Sequence, residues 1–419
     1  MYHRTVLDNG LTVITCPMPR SRSVGTALLI GSGACHERDQ EAGVSHFVEH
    51  LCFKGTERRP TAKDISCEIE CIGGMLNAST SHEETAYLAK VTRPHMTTAI
   101  DVLVDIATHA RFDGAEIEKE RQVVIEEINM NLDIPQQRLG MLTDRLLWPG
   151  QPLGRDIAGS KETVSTIDRY TIVRYVNEHY LAGDMVACVA GDVPHAEVCR
   201  EIEARCSDIP TGISTRGYRT DPEQHEPRVG IDRRDSEQAH ICVACHGVSR
   251  FDSRRYALDT LGVVLGGGMS SRLFTEIREK RGLAYDVHSY AEHFLSSGSL
   301  VVYAGVDSGR INECLDALLH EMSRIKLGVE EDELARAKEL MKGRLELRLE
   351  DTQNAALWFG GQQLLYGEIL TVDEVSQRID GVNSEEVVAI AEDILRSEYL
   401  SLAVVGPVDA LPTPELPRL

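Results

Sequence analysis

His46, Glu49 and His50 stand in the order H-x-x-E-H within the run Ser45-His-Phe-Val-Glu-His-Leu51. If residues 42–53 form a helix, side chains four apart lie on one face, about one turn from each other. His46 and His50 then offer two imidazoles to a single cation, and Glu49 projects close beside them. Zinc takes imidazole nitrogen and carboxylate oxygen in a tetrahedron, and a catalytic zinc leaves its fourth position to water. The order is the reverse of H-E-x-x-H and matches the inverzincin signature. Two imidazoles do not close such a site, so a third ligand is the deciding feature.

Residues 116–128 predict a second helix, rich in good helix formers and free of Gly and Pro. Glu120 and Glu127 are seven apart, two turns along one face, so both can point toward the same ion. Glu126 lies about 100° from Glu127 around the helix, which argues against both being ligands.

With these residues in view, the chain resembles the pitrilysin-type M16 metallopeptidases, a family that includes insulin-degrading enzyme and the mitochondrial processing peptidase. Glu127 follows His50 by 77 residues and Glu120 precedes Glu127 by seven, intervals that match the family's glutamates. The resemblance implies one zinc per chain on His46, His50 and Glu127, Glu49 as general base, and Glu120 as a carboxylate supporting the ligands. The segment from Gly73 to Tyr87 resembles the family's G-G-x-x-N-A-x-T-S-x-E-x-T-x-Y strand. There an extended peptide adds to a sheet edge, satisfying unpaired backbone groups with little regard to sequence. Asn77 and Ala78 are the implied substrate contacts. Gly266 to Tyr285 carries the family's Arg/Tyr pair as Arg278 and Tyr285, implied to act on the substrate carbonyl. The Gly266-Gly267-Gly268 run lacks the spacing and the Gly-Lys-Ser/Thr ending of a phosphate loop.

The elements that must position these residues occur twice, at an offset of 215. Residues 24–33 face 239–248, and 183–193 face 398–408; both pairs read as short buried strands. Glu116 falls on Glu331 at the head of a second long helix. The same offset sets His46 on Leu261, Glu49 on Val264, His50 on Leu265 and Glu127 on Lys342. The copy therefore keeps apolar residues and drops the metal-binding ones, so a single zinc site is expected, in the first half. The expected domains are 1–213 and 228–419, joined by a linker at 214–227 in a polar, Pro- and Gly-rich stretch. Strands and long helices are mixed without strict alternation. That pattern predicts an α+β class, with helices on one face of a mainly antiparallel sheet in each domain. The resemblance implies the M16/LuxS-like metallohydrolase fold for both.

A net charge of −22 argues against a nucleic-acid surface. No apolar run approaches the ~20 residues that span a bilayer. The start has no apolar signal core. Eleven cysteines, an odd number without framework spacing, point to a reducing compartment, and cytoplasm is the expectation. Cys67 with Cys71, and Cys242 with Cys245, read as structural residues; the second pair faces opposite sides of a buried strand. His82, His109 and His179 have no ligand spacing, and Glu83 supports either the site or the surface.

The sequence thus predicts a zinc endopeptidase cleaving unstructured peptides. The resemblance to short bacterial members, which pair two subunits into a closing chamber, implies a homodimer. From another class comes the alternative of a non-catalytic scaffold or binding subunit with the same fold.

Overall fold

The computed structural model describes residues 2–214, 217–221 and 223–408. Parts of the expected linker (215, 216 and 222) and the end of the expected second domain (409–419) lie outside the described residues. The chain divides into two compact units. One comprises Met1–Asn129, Arg155–Tyr218 and Glu346–Thr371; the other comprises Met130–Gly154, Arg219–Leu345 and Val372–Leu419.

The first unit is built on six strands, β1 (His3–Val6), β2 (Thr12–Pro17), β3 (Ser23–Ile30), β4 (Met75–Thr80), β5 (Thr85–Thr92) and β6 (Met185–Gly191). Their order is β1-β2-β6-β3-β5-β4. Only β2 and β6 run parallel; the other neighbours are antiparallel. All seven residues of β6 are buried, as its uninterrupted apolar sequence requires of a strand covered on both faces. β4 alternates exposed and half-buried residues and forms an edge of the sheet. The helices of this half are α1 (Val44–Cys52), α2 (Ala62–Glu70), α3 (Met96–Thr108), α4 (Gly114–Asp133), α5 (Pro135–Leu147), α6 (Lys161–Thr166), α7 (Arg169–His179) and α8 (His195–Cys206).

The second unit holds β7 (Arg228–Arg233), β8 (Gln238–His246), β9 (Ala284–His293), β10 (Gly298–Asp307) and β11 (Ser401–Gly406), in the order β7-β11-β8-β10-β9. The helices of this half of the sequence are α9 (Arg255–Gly266), α10 (Ile311–Arg324), α11 (Glu331–Leu349), α12 (Thr352–Tyr366), α13 (Val372–Gly381) and α14 (Ser384–Ile394), of which α12 belongs to the first unit. Strand for strand, this sheet repeats the order β2-β6-β3-β5-β4, including the one parallel pair. The duplication read from the sequence is thus a duplication of α+β topology.

One feature differs from the expected single helical layer. Each sheet is also covered on its second face, by a helix from the other half of the sequence. α12 packs on β3 and β6 in the first unit, and α5 packs on β8 and β11 in the second. Ala355, Ala356, Phe359 and Leu364 of α12 form one cluster with Ile14, Ala27, Leu29 and Cys188. Burying side chains such as Phe359 and Leu364 contributes roughly 1.5–3 kcal/mol each. Gly360 makes the approach possible: a Cβ there would lie 2.3 Å from Leu29 Cδ1.

Candidate metal centre

α1 buries Val44, Phe47, Val48 and Leu51 on one side, which turns His46, Glu49 and His50 to the other. Gly43 heads the helix and has no side chain to cap it. The buried Glu37 carboxylate does so instead, accepting from the Gly43 and Ser45 N–H groups at 2.8 Å each and from the Ser45 hydroxyl. Burial pushes the Glu37 carboxyl up to about 7, against the pull of these hydrogen bonds and of Arg155.

α4 supplies the carboxylates. Glu120 is buried, Glu127 is half-buried and Glu126 is exposed, as the helical spacing anticipates. Glu127 Oε2 lies 3.3 Å from His50 Nε2, and its Oε1 lies 3.7 Å from His46 Nε2. The two imidazole centroids are 4.5 Å apart. Among the described residues, His46, His50 and Glu127 form the one group of three or more potential metal ligands, with ligand atoms all within 4.8 Å of one another.

The hydrogen bonding defines what this group can hold. His50 Nδ1 faces Glu120 Oε1 at 2.9 Å, and Glu120 Oε2 accepts from Lys54 Nζ at 2.6 Å. A ring that donates from Nδ1 to Glu120 presents a lone pair at Nε2, directly opposite a Glu127 oxygen. Two such electron-rich atoms are stable together only with a proton or a cation between them. Zinc bonds of ~2.0–2.1 Å set tetrahedral ligand atoms about 3.3–3.4 Å apart, close to the two distances from the imidazole nitrogens to Glu127. A carboxylate on the remote imidazole nitrogen is also the usual support for a metal-binding histidine. The residues therefore fit zinc.

Electrostatics treat the two histidines differently. Burial, and then the neighbouring His50, lower His46 to about 4, which keeps it the neutral imidazole a metal requires. Burial also opposes charge on His50, but the Glu120 hydrogen bond and the carboxylates of Glu49, Glu127 and Glu120 outweigh it and hold His50 above its ordinary value. Burial raises Glu120 as well, yet His50 and Lys54 together leave it below the usual carboxylate value. Glu49 is raised, chiefly by burial and also by Glu127, while Thr80 and His50 pull it down.

Asn77 and Ala78 lie on the edge strand β4, where Asn77 Oδ1 accepts from the Ala78 N–H at 2.9 Å. Thr80 at the end of that strand donates to Glu49 Oε2 at 2.6 Å. In the second unit, the Arg278 guanidinium sits 4.6 Å from the Tyr285 ring centroid and 4.8 Å from that of Phe274. Arg278 belongs to the π-helical stretch Phe274–Lys280 and Tyr285 to the edge strand β9, where it is exposed. Glu83 is buried and accepts from Tyr218.

All eleven cysteines are free. Cys242 and Cys245 are buried, and burial pushes both up to about 12, where a thiol is unreactive.

Two contacts of this centre escaped the sequence reading. Lys54 follows His50 by four residues, and that helical spacing carried a signal. Thr80 carried none beyond its place in the strand segment, because the bond depends on how β4 packs against α1.

Residues 12–161 match the family described as insulinase (peptidase family M16), and residues 166–341 match the family's peptidase M16 inactive domain. An uncharacterized zinc protease of Bacillus subtilis is 34% identical over 99% of this chain and 100% of its own length. Among solved structures, a protease from Helicobacter pylori superposes with a TM-score of 0.90 at 20% identity, over 97% of this chain and 99% of that one. A chain of Complex III2 from Candida albicans superposes with a TM-score of 0.86 at 19% identity, over 97% and 96%. At these identities the two structures speak for the fold alone.

Proposed function

This chain belongs to peptidase family M16, and on that premise we propose that it is a zinc-dependent endopeptidase acting on unstructured peptides. The observation that carries the reading is His50 Nε2 set 3.3 Å from a Glu127 oxygen, with His46 completing the triad. One zinc per chain would be held by His46, His50 and Glu127. Bound there, it would polarise the scissile carbonyl and lower the pKa of water toward ~7.

The chain's own residues do the rest. Glu120, bridged to Lys54, holds the His50 ring in orientation. Glu49 takes the proton of the attacking water and returns it to the leaving amine, a role suited to a carboxyl raised by burial. β4 receives the peptide as an added strand along Asn77 and Ala78, which makes binding tolerant of sequence but demands an extended chain. Arg278 and Tyr285, already stacked, are assigned the substrate carbonyl and its developing negative charge. One chain carries both the ligands and this pair, so a homodimer of identical subunits is self-sufficient. The free cysteines support action in the cytoplasm. No helix among the described residues is long and apolar enough to cross a membrane.

The scaffold alternative draws on the fold shared with the Complex III2 chain, and the intact ligand triad speaks against it. Metal analysis combined with cleavage of an unstructured peptide separates the two. The endopeptidase binds zinc, and its Glu49→Gln variant keeps the metal while losing turnover. A Glu49→Gln protein cleaving at the wild-type rate would overturn the assignment.

A further inference from the structure

Glu49 leaves α1 with a flexible carboxyl group whose terminal torsion is broad and nearly two-fold. Among the described residues its carboxylate makes one side-chain hydrogen bond, from the Thr80 hydroxyl to Oε2 at 2.6 Å. We propose that Thr80 is a positioning residue: it occupies one oxygen of Glu49, leaves Oε1 as the atom that handles the proton, and ties that choice to the strand that receives the peptide. The inference rests on the reading of Glu49 as general base.

Three features make Thr80 suited to this. Its side chain is branched at Cβ and therefore stiff in χ1, so the direction of its hydroxyl follows the strand backbone. It also belongs to the half-buried series Leu76, Ala78 and Thr80 of β4, whereas Met75, Asn77 and Ser79 are exposed.

The third feature is the anchoring of the turn that follows. Ser81 N–H donates to Glu84 O at 2.8 Å, while the Ser81 hydroxyl donates to the same oxygen and accepts from Glu84 N–H, each at 3.1 Å. Thr80 is thus fixed at the closed end of the β4–β5 hairpin. Asn77 and Ala78 lie three and two residues before it on the same strand. A peptide pairing with that edge settles the strand from which Glu49 is held. Binding and alignment of the base are then one event.

The test uses the full-length zinc-loaded protein, a fluorogenic unstructured peptide, and the variants Thr80→Val, Thr80→Ala, Thr80→Ser and Glu49→Gln. Thr80→Val keeps the shape and removes the hydroxyl; Thr80→Ala removes it by a second route should valine disturb the strand. Both are expected to lower kcat by roughly 10–100-fold, the size typical for loss of an orienting partner. KM should stay within about twofold, and zinc affinity, measured by chelator competition, should be unchanged. Thr80→Ser should recover most of the lost turnover. In a Glu49→Gln background, Thr80→Val should cause no further loss, and peptide binding to that double variant should match the single one.

A hydroxyl-free variant with kcat within about twofold of wild type would overturn the proposal. So would a loss carried by KM or by zinc, a serine variant no better than valine, or an additional loss in the Glu49→Gln background. Should Glu49→Gln itself retain turnover, the reading of Glu49 fails first, and that outcome is distinct from a failure at Thr80 alone.

Discussion

The same helix of the duplicated fold does opposite work in its two copies. In α1 the positions of His46 and His50 are turned away from the buried side. At the equivalent positions in α9, Leu261 and Leu265 are 0% exposed and Val264 is 2% exposed, all within the core of the second unit. Gly266, equivalent to Leu51, shows how α9 closes down on its edge strand: a Cβ there would lie 2.5 Å from Ser289 N in β9. The bulkier Leu51 does not permit the same backbone approach to β4. On the partner helices, Glu127 faces two imidazoles, whereas its equivalent Lys342 is paired with Asp380 at 2.8 Å and Glu339 at 2.6 Å. One copy sets two imidazoles against a carboxylate, an arrangement that suits a cation; the other fills the same positions with leucine and pairs its lysine with carboxylates. A duplicated topology thus supplies position, and side-chain volume and charge decide whether that position becomes a site or core.

The sharpest way to break this comparison is to exchange the failure modes. Glu49→Gln is expected to lower turnover by ~10²–10⁴-fold with zinc content unchanged, read by metal analysis and a peptide assay. His50→Ala should abolish stoichiometric zinc, whereas the equivalent Leu265→Ala should keep zinc and cost about 2–5 kcal/mol of stability, as cavity formation in a core does. Calorimetry together with metal analysis reads both, and zinc loss in Leu265→Ala without unfolding would contradict the contrast.

Smaller effects resolve the carboxylates. Glu127→Gln should weaken zinc most, Glu120→Gln by roughly 10–100-fold, and the exposed Glu126→Gln hardly at all; chelator competition gives the order. If Glu126 ranked above Glu127, α4 would have to sit in another register.

The weakest predicted effect compares Glu37 with its equivalent Asp252, which accepts from Arg254 N–H at 2.8 Å. Burial raises Glu37 from 4.5 to about 7. The folded state therefore holds its proton more tightly than the unfolded chain does. Its stabilising contribution is complete below 4.5 and is lost as pH rises through about 7. Asp252 is lowered from 3.8, first by its hydrogen bond with Arg254, so its contribution is present above 3.8 and is lost on further acidification. In denaturation curves, Glu37→Gln should flatten the decline between pH 4.5 and 7, whereas Asp252→Asn should lower stability evenly across that window and remove only the pH-dependence that lies below it. Parallel behaviour of the two variants would show that the environments are alike after all.

Much of this was legible in the residues. The H-x-x-E-H order, the seven-residue step from Glu120 to Glu127 and the offset between copies all rest on local geometry or on counting, which a helix converts directly into a shared face. The largely apolar β3 and the unbroken apolar run of β6 likewise announced burial, and the duplicated pattern announced a repeated sheet.

Sequence by itself therefore determined the face shared by His46 and His50, the face shared by Glu120 and Glu127, and the apolar residues at the equivalent positions of the second copy, because each depends on spacing within one element. Bringing His46, His50 and Glu127 together was left to the packing of α1 against α4. Tertiary structure alone decided which layer covers each sheet. An apolar strand records that both of its faces are dry but not what dries them, and α5 and α12 are each supplied by the other half of the chain. It also decided that Thr80 holds Glu49. That bond joins residues 31 apart in sequence, and a hydroxyl's partner is set by where a strand end meets a helix, which no periodicity encodes.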